Sequence, residues 1–197
     1  MQAPLDSPSY DPGLTNPLQE TLKALESRSS PLTAPEILAF LQDLARHQAP
    51  WAPFERFDEA SYCRRVVVSN GVLDLLLLTW RPGQRSPIHD HSGSTCGFAV
   101  VRGEALEVGF TPLEAGPLVP TGHQRLETGR STVRKDSDIH LVGNFSAHGD
   151  DLVTLHLYSP PLASMRVYGE HETFLAGYSE VVVRTARAGS FHEESAK

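Results

Sequence analysis

The chain has 197 residues, with 17 Lys and Arg against 24 Asp and Glu, for a formal charge of −7. That length favours one domain with a sizeable core, and the acidic balance argues against a nucleic-acid or anionic-membrane partner. A hydrophobic share of 40% excludes wholesale disorder, and 15 glycines and 15 prolines scattered between short apolar runs suit a turn-rich β protein better than a helical bundle.

Residues 1–13 read as a disordered tail, because Pro4, Pro8, Pro12 and Gly13 interrupt every possible period. The start has neither the basic residues nor the apolar stretch of a signal peptide, so the cytosol is the expected compartment. Residues 14–57 form a helical segment. Leu18, Leu22 and Leu25 share one face of a first helix, which stops before Ser29-Ser30-Pro31. Thr33 and Glu36 make a T-x-x-E capping box for a second helix, with Ile37, Phe40, Leu41 and Leu44 at helical spacing and an end near Ala49-Pro50.

From residue 58 to 185 the pattern is β. Tyr62 to Val68 and Val72 to Trp80 flank an Asn70-Gly71 hairpin signal, and Arg81-Pro82-Gly83 closes the second strand. Further strands fit Thr95 to Val101, Ala105 to Phe110, His123 to Glu127, Ser131 to Lys135, Ile139 to Asn144, Asp151 to Tyr158 and Met165 to Tyr168. Many short strands with regular turns predict a mainly β sandwich or small barrel, with the N-terminal helices packed on it. Residues 186–197 read as a polar C-terminal tail. The longest apolar run, Leu75 to Leu78, is too short to span a bilayer, and no membrane partner is expected. Cys63 and Cys96 are not expected to pair, since a cytosolic chain of this size neither needs nor readily keeps a disulfide. A monomer is expected.

The histidines carry the chemistry. In a strand, His89 and His91 would point to one face, with Cβ atoms about 6.8 Å apart, close enough to lean onto one cation. By itself His-x-His is a weak signal, but its frame strengthens it. Gly83, His89, His91 and Gly103 resemble the first motif of the cupin superfamily, G-(X)5-H-X-H-(X)4-E-(X)6-G, with Cys96 at the Glu position. The second cupin motif is retained in part: Gly129 and the H-(X)3-N ending, His140 and Asn144, are present, while its Pro and inner Gly are Lys135 and Ser137. His140 is the third candidate ligand. A metal held by three neutral imidazoles keeps its full 2+ charge, which an anionic substrate can offset. Three open positions on six-coordinate iron suit a bidentate thiolate-and-amine substrate and one O2.

Cys96 in place of Glu, with the run Thr154-Leu155-His156-Leu157-Tyr158-Ser159-Pro160-Pro161, is similar to the cysteine dioxygenase family, across roughly residues 58 to 168. The resemblance implies a cupin β-barrel, Fe(II) on His89, His91 and His140, and a reaction of O2 with a small thiol. It implies that Arg64, in Tyr62-Cys63-Arg64, binds the substrate carboxylate; by alternation Arg65 faces away and reads as a solvated surface charge. Trp80 matches the family's active-site Trp. Thr154, His156 and Tyr158 match its Ser-x-His-x-Tyr relay, with Thr replacing Ser. Cys96 and Tyr158 match partners that become thioether-linked in animal members; without the family, Cys96 reads as a small buried hydrophobe. His156 as a fourth ligand fits less well than His156 in the relay. Met165 packs over the substrate or fills core. Asp90 points to the face opposite the ligands. His47, His123, His148, His171 and His192 read as ordinary.

The leading expectation is thus oxidation of L-cysteine to cysteine sulfinate. Two rivals stand beside it. One is a dioxygenase of another thiol acid, 3-mercaptopropionate or mercaptosuccinate; the former usually has Gln for the Arg, and a second acid group would need Arg166. The other is a non-catalytic small-molecule-binding cupin.

Overall fold

The computed structural model describes residues 17–47, 49–112, 118–134 and 138–168, together with the backbone of 172–174, 182–184 and 188–189. The expected N-terminal tail, His171, His192, Lys135 and Ser137 lie outside the described residues. Helices α1 (Pro17–Glu26) and α2 (Ala34–Ala45) come first, then a 3-10 turn at Ala49–Phe54. The strands follow as β1 (Cys63–Ser69), β2 (Asp74–Trp80), β3 (Ile88–His89), β4 (Thr95–Arg102), β5 (Glu104–Pro112), β6 (Leu118–Glu127), β7 (Ser131–Arg134), β8 (Ile139–Gly143), β9 (Leu152–Ser159) and β10 (Val167–Tyr168). Short strands β11 (Glu172–Phe174), β12 (Val182–Arg184) and β13 (Ala188–Gly189) complete the order.

One sheet runs β1-β2-β9-β4-β7 and a second runs β13-β10-β3-β8-β5-β6. All their pairings are antiparallel, and the two sheets face each other as the walls of a cupin barrel. The helices cover the outside of the five-stranded sheet. Leu22, Leu25, Ile37, Leu41 and Leu44 are buried there against Leu75, Leu77, Ala99, Val101, Val153, Leu155 and Leu157. Each such side chain contributes about 1.5–3 kcal/mol on burial. The alternate residues of the same strands, Leu76, Leu78 and Trp80, Cys96, Phe98 and Val100, turn into the barrel. Because helices close one face and the barrel interior the other, β2 and β9 are buried almost throughout.

Close approach of α2 depends on Gly97. A Cβ there would stand 2.8 Å from both Ile37 Cγ2 and Leu41 Cδ1, and 2.9 Å from the Thr132 carbonyl oxygen. The hairpin signal at Asn70 is also a tie to α1. Asn70 Oδ1 accepts from the backbone N–H groups of Val72 and Leu73, while its Nδ2 donates to the carbonyls of Leu25 and Glu26. The turn therefore extends to Leu73, and β2 starts at Asp74 rather than Val72.

Other departures have local causes. The second helix ends at Ala45 with Arg46 as its cap, and the Pro-containing segment that follows takes the tighter 3-10 turn. Strand β6 begins earlier than expected, at Leu118, because it pairs along β5 as far as Pro112. At the other end, Ala188 and Gly189, within the segment expected as a polar tail, pair with Tyr168 and Val167. Among the described residues no helix is long and apolar enough to cross a membrane.

Candidate metal centre and substrate cavity

His89 and His140 lie directly opposite each other in the β3–β8 ladder. His91 is not in a strand, contrary to the sequence expectation: β3 ends at His89, and a tight turn follows, with Ser92 at φ 43° and Gly93 at φ 100°. The His91 ring nonetheless lies beside the other two. Ring centroids are 5.3 Å apart for His89 and His91, 4.7 Å for His89 and His140, and 4.8 Å for His91 and His140. One ring nitrogen from each lies within 4.8 Å of the other two, a spacing that fits a single ion.

Their hydrogen bonds support that fit. His89 Nδ1 lies 2.9 Å from the Pro87 carbonyl, and His140 Nδ1 lies 2.6 Å from Glu107 Oε1, so each ring donates from Nδ1, which leaves Nε2 as the atom to face a metal. His91 is fully buried, and neither of its ring nitrogens has a hydrogen-bond partner among the described residues. A buried imidazole left in this way is costly unless something outside the protein binds it. Burial is the main reason His89 stays well below its ordinary pKa and His91 drops to about 3, with neighbouring imidazoles adding to the shift. Both rings are thus neutral, as a metal requires of them.

The facing wall supplies the other predicted residues. Arg64, Leu78, Thr154 and Val100 form one inward row across β1, β2, β9 and β4, by direct pairing. Arg65 pairs with Leu77, which belongs to the helix-facing layer, so the two arginines point to opposite faces. Tyr62, Arg64, Trp80, His89, His140, His156, Tyr158 and Met165 all border one cavity. Tyr62 stacks on Trp80 at 4.3 Å between ring centroids.

Behind that surface runs a buried chain of donors. Trp80 Nε1–H donates to Thr154 Oγ1 at 2.9 Å, and Thr154 Oγ1 lies 3.0 Å from His156 Nε2. An indole N–H can only donate, so the hydroxyl accepts from Trp80, and it shares a second hydrogen bond with His156 Nε2. Burial holds His156 well below its ordinary pKa and Tyr158 well above its own, the latter with help from Cys96. Cys96 and Tyr158 sit directly opposite each other on β4 and β9, and their side chains are hydrogen-bonded. Burial also pushes the Cys96 thiol up. The Tyr158 ring is 6.0 Å from His91, which puts the phenol beside the three imidazoles.

Asp90 is turned away from the ligand cluster. It accepts from the Arg166 backbone N–H, the Tyr168 hydroxyl and Ser92, and so pins the segment that carries Met165. Arg166 is 60% exposed, its guanidinium points to Asp90 at 3.7 Å, and it does not border the cavity. Asn144 organises a loop, donating to the carbonyls of Trp80 and Asp150. Glu107, Arg134 and Gln124 were not singled out by the sequence. The available signal was Glu107 itself, a charged residue in the inward register of the apolar run Ala105 to Val108.

A sequence model of the family described as Cysteine dioxygenase type I matches residues 9–171. The chain is 32% identical over 168 residues to cysteine dioxygenase type 1 of Danio rerio, covering 79% of this chain and 83% of that protein. It is 29% identical over 164 residues to the Homo sapiens protein of the same name, covering 79% and 82%. Among solved structures, an uncharacterized conserved protein with a double-stranded β-helix domain from Klebsiella pneumoniae superposes with a TM-score of 0.50 at 17% identity, over 59% of this chain and 86% of that one, a likeness in fold. With the cupin barrel, the three converging imidazoles and a family match across most of its length, the chain belongs to the cysteine dioxygenase type I family.

Proposed function

We propose that this chain holds Fe(II) on His89, His91 and His140 and adds both atoms of O2 to the sulfur of L-cysteine, giving cysteine sulfinate. The observation that carries the reading is Arg64, a guanidinium on the wall of the same cavity that His89 and His140 border. Bound iron supplies the activation of O2 and of the thiolate; the three neutral ligands leave it a charge that a thiolate offsets. Every other task falls to the chain. Arg64 receives the carboxylate in a fork of two N–H bonds that lysine cannot reproduce. Trp80 and Tyr62, stacked on each other, close one side of the cavity to water.

Tyr158 keeps its proton at neutral pH and offers it as a hydrogen bond toward the reacting oxygen or sulfur. Thr154 and His156 hold the relay behind it, and Met165 packs over the substrate. Cys96 serves Tyr158. Loss of one hydrogen from its thiol and one from the Tyr158 ring, taken up by O2, joins sulfur to carbon and locks the phenol in place. Intact-mass spectrometry after turnover then finds chains lighter by those two hydrogens, and none in Cys96→Ala.

Oxygen uptake by iron-loaded protein against a panel of thiols tests the reading. L-Cysteine is expected to give the highest kcat/KM with sulfinate as product, and cysteamine, lacking the carboxylate, a low one. Preference for mercaptosuccinate would overturn the substrate, and metal binding without uptake of O2 by any thiol would overturn the activity. Mercaptosuccinate needs a second cation, and Arg166 is engaged with Asp90 outside the cavity. The enzyme is read as a cytosolic monomer; elution as a single-chain species in size-exclusion chromatography is the expected result.

A further inference from the structure

The three histidines are not equivalent. His89 gives its Nδ1 proton to a neutral carbonyl, and His91 gives none to any of the described residues. His140 faces a carboxylate, with Glu107 Oε1 at 2.6 Å from its Nδ1. Glu107 is fully buried on β5, between Leu106 and Val108 of the apolar layer outside the barrel. Its remaining acceptor sites are all taken. Arg134 donates from Nε to Oε1 at 3.0 Å and from Nη2 to Oε2 at 2.8 Å, and Gln124 Nε2 donates to Oε2.

This arrangement is more than a structural ion pair. A carboxylate that accepts the Nδ1–H of an imidazole fixes the tautomer and raises the electron density at Nε2, the atom left for a metal. A guanidinium on the same carboxylate withdraws part of that density. The site lost its acidic ligand where Cys96 stands. An anion remains, one imidazole away from the metal position, and a cation beside it sets its strength. Arg134 also pairs directly with Cys96 across β4 and β7, so the clamp spans both walls of the site.

We infer that Glu107 is a positioning residue that makes His140 the strongest donor of the three ligands, and that Arg134 sets how strong. The inference rests on the reading of His89, His91 and His140 as metal ligands. Nitrogen-15 NMR of the metal-free wild-type protein is expected to find His140 protonated at Nδ1; protonation at Nε2 would overturn the inference without any variant. Glu107→Gln keeps the shape and an acceptor for that N–H but removes the charge. Chelator competition with Zn(II) is expected to give about 10- to 100-fold weaker binding in the folded variant.

The decisive readout is the sign of the Fe(III)/Fe(II) potential. Glu107→Gln should raise it, because less charge reaches His140, whereas Arg134→Gln should lower it. A merely structural clamp would move both variants in the same direction or neither, and that result would overturn the inference. Wild-type protein that binds neither Zn(II) nor Fe(II) would overturn the metal reading itself. Tight wild-type binding with an unchanged Glu107→Gln would overturn only the role of Glu107.

Discussion

The two walls of the barrel are built differently. The three central strands of the five-stranded sheet, β2, β9 and β4, are long and buried on both faces, and their inward residues fall at every second position: Leu152, Thr154, His156 and Tyr158 on β9, Cys96, Phe98 and Val100 on β4. The six-stranded sheet holds the metal ligands on a strand of two residues, the turn after it, and a strand of five. One wall places its side chains by strand period. The other places them by a turn and by hydrogen bonds to individual rings. A period tolerates no slip, since a shift of one residue would exchange Thr154, His156 and Tyr158 for Val153, Leu155 and Leu157. A turn can be adjusted locally.

Division of labour follows, and substitution can break it. His89→Ala or His140→Ala is expected to abolish metal binding, the largest effect, measured as iron per chain after reconstitution. Tyr158→Phe on the opposite wall should keep full metal and lose about 100-fold or more in kcat. Full metal in His140→Ala would make His156 the third ligand and dissolve the contrast between the walls.

Within the five-stranded wall, Arg64 and Arg65 form a smaller test of the same idea. They are adjacent, yet Arg64 pairs with Leu78 on the inner face and Arg65 with Leu77 on the outer. Losing a charged hydrogen bond to the carboxylate should raise KM for cysteine about 10- to 100-fold in Arg64→Ala, with iron content unchanged. Arg65→Ala should change KM by no more than about twofold. Equal effects would mean that substrate does not enter by the inner face.

The outer face of that wall should be silent in chemistry and sensitive in stability. Gly97 faces α2, and an added methyl meets Ile37, Leu41 and the Thr132 carbonyl at once. Because a backbone oxygen is one of the three, the helix side chains cannot relieve the clash by moving alone. Gly97→Ala is expected to cost about 1–3 kcal/mol in urea unfolding, with KM and metal affinity unchanged.

The difference between the walls also explains what could be read in advance. Strands β2 and β9 announce themselves by β-branched and aliphatic runs, and alternation put Thr154, His156 and Tyr158 together without a structure. His89 and His91 share a side with Asp90 turned away, as alternation predicts, although β3 itself stops at His89 and a turn with Ser92 and Gly93 at positive φ follows His91. Strand β3 is too short to leave a period. Glu107 stood out only as a charge within an apolar run, and its role was hidden because its partners come from three other strands, Gln124 on β6, Arg134 on β7 and His140 on β8. The 3-10 turn at Ala49–Phe54 was hidden by its prolines, which read only as the end of a helix.

The helical layer gives the smallest and most specific effect. Glu36 accepts from the Thr33 backbone N–H at 2.8 Å, from the Thr33 hydroxyl at 2.8 Å and from Arg28 at 2.6 Å. Led by the backbone bond to Thr33, these hold its carboxyl at about 2 against an ordinary 4.5. Its folded-state value lies below its unfolded one, so the stability it contributes is complete above pH 4.5 and drains away as pH falls toward 2. Glu36→Gln should therefore melt slightly below wild type at pH 6, and the gap in Tm should narrow between pH 4.5 and 2. Since α2 packs on the outer face of the five-stranded wall, away from the cavity, metal affinity and KM at neutral pH should not change. A gap that stays constant with pH would mean that the Glu36 carboxylate is not what caps α2, and a loss of metal affinity would mean that the helical layer and the six-stranded wall are coupled after all.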